Sequence, residues 1–322
     1  MPLGELAGLE PAEQLRKVFG QALLAVAQQD PRVVVLDGDL GSSTGAHEVR
    51  HEFPERFFNL GIAESNMVGV GAGLAACGYV PFLTSLSSFL LCNAFDQLRL
   101  AVSIPGLNVK LAGSHSGLTT GREGPSSMSI EDYALVGALP AMAAIVPSDP
   151  ACMHWAVRAA VAHTGPVYIR SSREALPHIY PEGYTFVLGK AACPREGRDV
   201  TLIACGLMVP VALDAAVFLA AEGIQARVLD MHTLRPLDGA AIAAAARETG
   251  AIVTAEEHLV RGGLGAAVAQ AVATTCPVPL RFVGLQDTYT GSGSLEELMA
   301  KYGLTARHIA AAAREAIAAK KG

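Results

Sequence analysis

The sequence predicts an α/β protein of two domains, each a mainly parallel sheet with helices on both faces. Three observations carry this expectation. Short β-branched or apolar runs alternate with longer helical patterns almost from end to end, as in parallel sheets whose strands are covered on both sides. The 322 residues are 51% hydrophobic and 17% charged, enough core for two domains. The stretch 171–198 interrupts the alternation with three prolines and three glycines and little helical periodicity, which marks a connection. The expected domains are residues 1–188 and 189–322.

In the first domain the strand runs are VVVLDG (33–38), FFNLG (57–61), YVPFLTS (79–85), NVKLAG (108–113), AAIVP (143–147) and PVYIR (166–170). Their shortness and their Gly, Pro and Asn borders separate them from helices. Helical patterns fall near 11–28, 63–77, 88–103, 130–138 and 149–163. The second domain offers strands at VTLIACG (200–206), QARVLD (225–230), AIVTAEE (251–257) and PLRFVGL (279–285), with Ala-rich helices between them and one after Leu304. Tracts such as AAIAAAARETGA place charges at helical spacing, and Ala is the strongest helix former, so these are helices and not linkers.

Charge excludes some partners. Formal net charge is -6 with both signs mixed along the chain, so no basic stripe is available for nucleic acid. The N-terminus lacks a cationic segment followed by an apolar core, and apolar runs break well short of the ~20 residues that span a bilayer. The expectation is a cytoplasmic protein without a membrane role. Cysteines at 77, 92, 152, 193, 205 and 276 form no C-x-x-C pair, a pattern of separate reduced thiols.

Ligands of open parallel sheets bind beyond the carboxyl ends of the strands. Polar residues just past the strand runs are Asp37, Asp39, Ser42 and Ser43; Glu64; Ser114, His115 and the loop SHSGLTTGREGPSS; and Arg170 and Arg173. Two tempting motifs fit poorly. HEVRH (47–51) has the spacing of a zinc-binding helix, but Pro54 cuts the helix short and no third ligand follows at the required distance; a surface helix is the expectation. GVGAG (69–73) falls inside a helix and not in a strand-to-helix turn, so close packing by small residues is expected and not a dinucleotide site. GGLG (262–265) opens a helix and reads as a structural turn or an anion nest. Glu64 is the single acidic residue among 57–95, a span with no basic one; it is either a carboxylate at a helix N-terminus or an acid kept for proton chemistry.

Taken together, DPRVVVLDGDLGSSTG, RFFNLGIAESNMVGVGAGLAACGYVPFLTS, SHSGLTTGREGPSS with EDYA after it, and TLRPLDGAAIAAAARETGAIVTAEEH with RGGLG closely resemble the C-terminal half of transketolase. More closely still, the chain resembles the C-terminal subunit of transketolases split into two chains, over residues 15–319. The resemblance implies a thiamine-diphosphate pyrimidine-binding domain followed by a transketolase C-terminal domain. It makes Glu64 the carboxyl group facing the aminopyrimidine, whose shared proton favours the imino tautomer that deprotonates the thiazolium carbon. A partly buried acid suits that task. Phe89 is implied to stack on the pyrimidine, with Leu86 where a first aromatic usually stands. Asp39 and His115 are implied to line the cofactor and substrate channel, and Arg16, Ser43 and Arg173 to hold a sugar phosphate, a task suited to guanidinium forks.

The chain also departs from the family. Transketolases usually read G-E-D-G-x-x-H-Q where this sequence has Gly121-Arg122-Glu123-Gly124-Pro125-Ser126-Ser127-Met128. Glu123 replaces an Asp and Ser127 the substrate-facing His, so an unusual ketose or a biosynthetic acyl group is open. The family's metal motif, G-D-G with a later Asn, fails at Gly38-Asp39-Leu40, with Asn59 too early. Diphosphate and Mg2+ are therefore expected on an N-terminal companion subunit, in an α2β2 heterotetramer by family analogy. The implied reaction moves a two-carbon ketol unit from a ketose phosphate to an aldose phosphate. The β subunit of a 2-oxo acid dehydrogenase and a non-catalytic binding partner remain as alternatives.

Overall fold

The computed structural model describes residues 2–321. Twelve strands form two sheets, numbered here in chain order: β1 Val33–Asp37, β2 Phe57–Asn59, β3 Val80–Leu86, β4 Lys110–Ser114, β5 Ala143–Ile145, β6 Val167–Arg170, β7 Ala192–Arg195, β8 Val200–Ala204, β9 Ala226–Asp230, β10 Thr233–Arg235, β11 Ile252–Leu259 and β12 Leu280–Leu285. The seven-stranded sheet runs β10-β5-β6-β4-β3-β1-β2, the five-stranded sheet β12-β11-β8-β9-β7. All pairings are parallel except β10 with β5 and β7 with β9. Both sheets are thus mainly parallel, as the alternating pattern requires.

β7 and β10 are not visible in the sequence pattern. Each is an edge strand of three or four residues, one inside the Pro- and Gly-rich connection. Their consequence is large, because β10 leaves the second domain and pairs antiparallel with β5 of the first, Thr233 opposite Ile145. The seven-stranded sheet thus takes its edge strand from the second domain's sequence, and the largest apolar cluster runs through both domains, from Leu15 and Val157 to Leu213 and Ile309.

One predicted helix is corrected. Residues 88–103 do not form a single helix: Ser87–Cys92 ends, Phe95–Gln97 follows, and Leu98–Ser103 is a π-helix. Ala94 leaves helical geometry at φ -120, and the Asn93 carbonyl accepts from Ser65 Oγ instead of continuing the ladder. Elsewhere the local readings hold. HEVRH lies in the six-residue helix His47–Glu52 that buries Val49 alone. Gly71, in the GVGAG run, lies inside helix Glu64–Ala76, where an added Cβ would come 2.7 Å from Leu83 Cδ1; the glycine lets the helix lie on β3. At GGLG the nest is filled from within, since Leu264 and Gly265 N–H groups both donate to Glu256 at 2.7 Å. Burial pushes the Glu256 carboxyl up to about 8 against those two bonds. All six cysteines are free.

The domains are joined by a buried cation. Arg170, at the end of β6, donates through Nε to Asp132 at 2.7 Å and through Nη1 to Glu257 at 2.8 Å. Its guanidinium lies 4.7 Å over the Tyr133 ring, which stacks on His258 at 4.5 Å. Burial opposes the charge, and Asp132, Tyr133 and Glu257 more than offset it, so Arg170 stays ionised. Glu257→Ala removes one partner while the cation stays buried. It is expected to lower unfolding stability by about 3–5 kcal/mol, read from denaturant titration of Trp155 fluorescence; a loss under about 1 kcal/mol would place the pair among the weak surface kind.

Candidate functional site

The chain goes from β1 to β2 on one side and then returns to place β3 on the other. Such a reversal opens a crevice at the carboxyl ends of the two central strands, where α/β proteins bind ligands. Gly38 follows β1, Ser85 lies near the end of β3, and Glu64 begins the helix that joins β2 to β3. These three converge. Ser85 Oγ donates to Glu64 Oε1 at 2.9 Å, and a Cβ on Gly38 would come 3.5 Å from the same oxygen. Glu64 is buried, at 3% exposure. Its Oε2 accepts from no described residue, so the carboxyl group keeps one oxygen for a ligand.

Beside it stand the residues of helix Ser87–Cys92. Phe89 is half-buried and Leu86 buried, yet neither belongs to an apolar core cluster. Ser88 Oγ donates to the Ser127 carbonyl at 3.0 Å, and Thr120 Oγ1 reaches the same oxygen at 3.3 Å. Ser127 is thus held against this helix by its backbone.

A second group gathers on the other side of the sheet's carboxyl edge. Helix Leu15–Gln29 passes so close to the loop after β1 that a Cβ on Gly45 would lie 2.1 Å from the Arg16 carbonyl. Gly45 also takes φ 85, the left-handed region where glycine is favoured. That approach brings Arg16 to the Ser43 carbonyl, at 3.5 Å. His115 follows β4 with φ 54, and its Nδ1 pairs with Ser114 Oγ at 2.9 Å. Arg173 meets Glu123 at 2.8 Å. Burial, then Arg173, then Arg16 push the His115 imidazole down to about 4, so it is neutral at pH 7.

Asp39 stands apart. It takes φ 65 and accepts from Asn59 Nδ2 at 2.8 Å on the exposed rim; no hydrogen bond joins it to Glu64 or His115. Ser85, the partner of Glu64, is the side chain of this group that sequence reasoning misses. The strand run FLTS carries a signal, since Ser85 is one residue from Thr84, which pairs in register with Asp37. Likewise EDYA and TAEEH contain Asp132, Tyr133 and Glu257, the partners of Arg170, and His258, which stacks on Tyr133. Among the described residues no group of three His, Cys, Asp or Glu is placed to hold a metal, and no helix is long and apolar enough to cross a membrane.

The model of the transketolase pyrimidine-binding domain matches residues 12–178, and that of the transketolase C-terminal domain residues 189–309. The chain belongs to the transketolase family. It is 44% identical over 301 residues to a 6-deoxy-6-sulfo-D-fructose transketolase subunit of Clostridium sp. (strain MSTE9), covering 94% of each chain. It is 37% identical to an apulose-4-phosphate transketolase subunit of Phocaeicola vulgatus, over 93% of this chain and 96% of that one. A solved split-gene transketolase, described as an inactive beta4 tetramer, superposes with a TM-score of 0.90 at 43% identity, covering 96% of this chain and all of the other. The family domains and the likeness to split-transketolase subunits that the sequence implied are both present.

The His115 environment has a measurable consequence. The unfolded chain takes up a proton at this residue as pH falls below about 6.5, and the folded chain only near 4. His115 therefore erodes stability as pH falls through that window and has no effect above it. In NMR titration its ring is expected to titrate near 4 in the native chain and higher in Arg173→Ala; an unmoved midpoint in the variant would remove Arg173 as a contributor.

Proposed function

We propose that this chain is the C-terminal subunit of a cytoplasmic, thiamine-diphosphate-dependent transketolase. Residues 1–188 serve the cofactor's pyrimidine and residues 189–322 form the C-terminal domain. An N-terminal companion subunit supplies the diphosphate-binding domain and its Mg2+, in an α2β2 assembly. The observation that carries the reading is Glu64: a buried carboxyl group at a sheet switch point, held on one oxygen by Ser85 and open on the other. Those features fit a pyrimidine ring that needs one acidic partner. Phe89, half-buried and outside the core clusters, fits a ring stacked on it. Thiamine diphosphate, when bound, supplies the carbon nucleophile and the electron sink for cleaving and remaking a carbon–carbon bond.

The chain's own residues then have distinct tasks. Glu64 would meet a ring nitrogen of the bound cofactor through Oε2 and exchange a proton with it, and the bond from Ser85 Oγ to Oε1 orients the carboxyl group for that contact. His115, neutral, offers Nε2 to a substrate hydroxyl, with Nδ1 engaged by Ser114. Arg16, Ser43 and Arg173 hold the anionic end of a ketose, Glu123 and Ser127 line its approach, and Asp39 and Leu86 line the cofactor's place beside Glu64 and Phe89. The reaction is transfer of a two-carbon ketol unit between a ketose and an aldose. The relatives named above act on a sulfonated and a phosphorylated sugar, in keeping with an anion-ended substrate of either kind.

Reconstitution with the companion subunit tests this reading. Ketol transfer from an anion-ended ketose is expected, and Glu64→Gln should lower kcat by roughly 100-fold or more with the complex intact by size-exclusion chromatography. Unchanged turnover in the variant would remove the role of Glu64. Turnover of pyruvate with an artificial electron acceptor, and none of any ketose, would replace transketolase by a 2-oxo acid dehydrogenase component.

A further inference from the structure

The site loop of the first domain is walled by the second. Between β12 and helix Leu295–Lys301 the chain runs through residues 286–294, and this segment meets loop 115–128 at three points. Thr290 Oγ1 donates to Met128 Sδ at 2.7 Å, with both side chains buried. A Cβ on Gly124 would come 2.7 Å from Ser292 Oγ, and one on Gly121 would come 3.3 Å from the Gly293 carbonyl oxygen. The loop backbone is thus pressed on the segment where it turns about Arg122 and Glu123. The segment itself is fixed from within its own domain. The Gly291 N–H donates to Tyr302 Oη at 2.8 Å, and Ser294 and Glu297 close a reciprocal cap at the start of helix Leu295–Lys301.

We propose that this segment, through Thr290, is a positioning element for the substrate: it sets the place of Glu123 and Ser127, and through them the fit of the sugar. The inference rests on the proposed function and gives the second domain a task within it. Glu123 and Ser127 lie between Gly121 and Met128, the outermost of the three contacts. Their own bonds run to the first domain, from the Glu123 carboxylate to Arg173 and from the Ser127 carbonyl to Ser88 and Thr120. Each is therefore placed by both domains at once. Glu257 holds the start of the loop at the Leu118 N–H, at 3.2 Å, and Thr290 holds its end. Among the described residues no hydrogen bond joins segment 286–294 to Glu64 or to the helix that carries Phe89. A displaced wall would move the groups that meet the sugar and leave the cofactor's acid where it is, so its effect falls on KM and not on kcat.

Hydrogen exchange on the full chain, read by mass spectrometry, tests the positioning without turnover. Thr290→Val keeps the branched shape, removes the donor and puts a wider methyl group against Met128. Exchange in residues 121–128, whose Gly124, Ser127 and Met128 amides bond within the loop, is expected to quicken at least about fivefold, with residues 57–95 unchanged. Thr290→Ser restores the hydroxyl and is expected to restore the native rate. Tyr302→Phe, which frees the Gly291 N–H at the far side of the segment, should quicken the same residues and serves if Thr290→Val does not fold. In the reconstituted complex the KM of the ketose it turns over is expected to rise at least about fivefold in the loosened variant, with kcat changed less than about twofold. Native exchange in both Thr290→Val and Tyr302→Phe overturns the proposal, as does exchange that quickens equally in residues 57–95, or a loosened loop with an unchanged KM. Absence of ketol transfer by the native complex would strike the proposed function and leave the exchange result standing.

Discussion

The ionised guanidinium of Arg170 is the constraint on which the rest of the arrangement depends. Buried to 2% exposure, it must find its anions inside the protein, and it finds one in each domain: Asp132 ahead of β5 and Glu257 in β11. Tyr168 adds a bond to the same Asp132 oxygen at 2.7 Å. Glu257 spends its other oxygen on the Leu118 N–H at 3.2 Å, inside the loop that follows His115. One ion network therefore joins the two sheets and anchors the start of the site loop. Three residues beyond Arg170, Arg173 takes the opposite course and stays half-exposed. The strand end thus buries one arginine in the network and leaves the next half-exposed, paired with Glu123.

That anchoring explains how a strained loop persists. His115 and Asp39 adopt left-handed backbone geometry, which costs a non-glycine residue about 1–2 kcal/mol. Around His115 the compensation is visible: Thr120 Oγ1 donates to its carbonyl at 2.7 Å, Ser116 N–H donates to the Ser171 carbonyl at 3.1 Å, and Thr119 Oγ1 accepts from the Arg173 N–H at 3.2 Å. Each bond ties loop 115–128 either to itself or to the end of β6. The reward is an imidazole held beside two guanidiniums without charge of its own, free to donate or accept according to the tautomer its Ser114 partner selects.

What the sequence reveals follows from which forces act locally. Ten strands are legible because each lies in a short apolar run bordered by turn residues, most of them buried on both faces, and helix Glu64–Ala76 because small residues continue its pattern. Glu64 stands out because a lone carboxylate in an apolar span has few physical explanations. β10 is not legible, since three residues, Thr-Leu-Arg, carry no periodicity, and their pairing with β5 comes from the fold around them. The break at Asn93 is equally hidden, because the bond from Ser65 that takes its carbonyl spans 28 residues. The Arg170 partners stand in EDYA and TAEEH, yet only the shared burial of both segments turns those acids into a network.

Position 127 shows how a site can change its chemistry without changing its shape. Its main-chain carbonyl accepts from Ser88 and Thr120, and these bonds fix the loop against the helix that carries Phe89. Neither bond involves the side chain. A histidine or a serine can therefore occupy the position with the same backbone, so the loop's course is decoupled from the group it presents. The same holds on the facing side, where the Glu123 carboxylate, and no main-chain atom of that residue, meets Arg173. Both departures from the family pattern thus fall on side chains that the fold does not need, which is where a change of substrate can accumulate at little cost in stability.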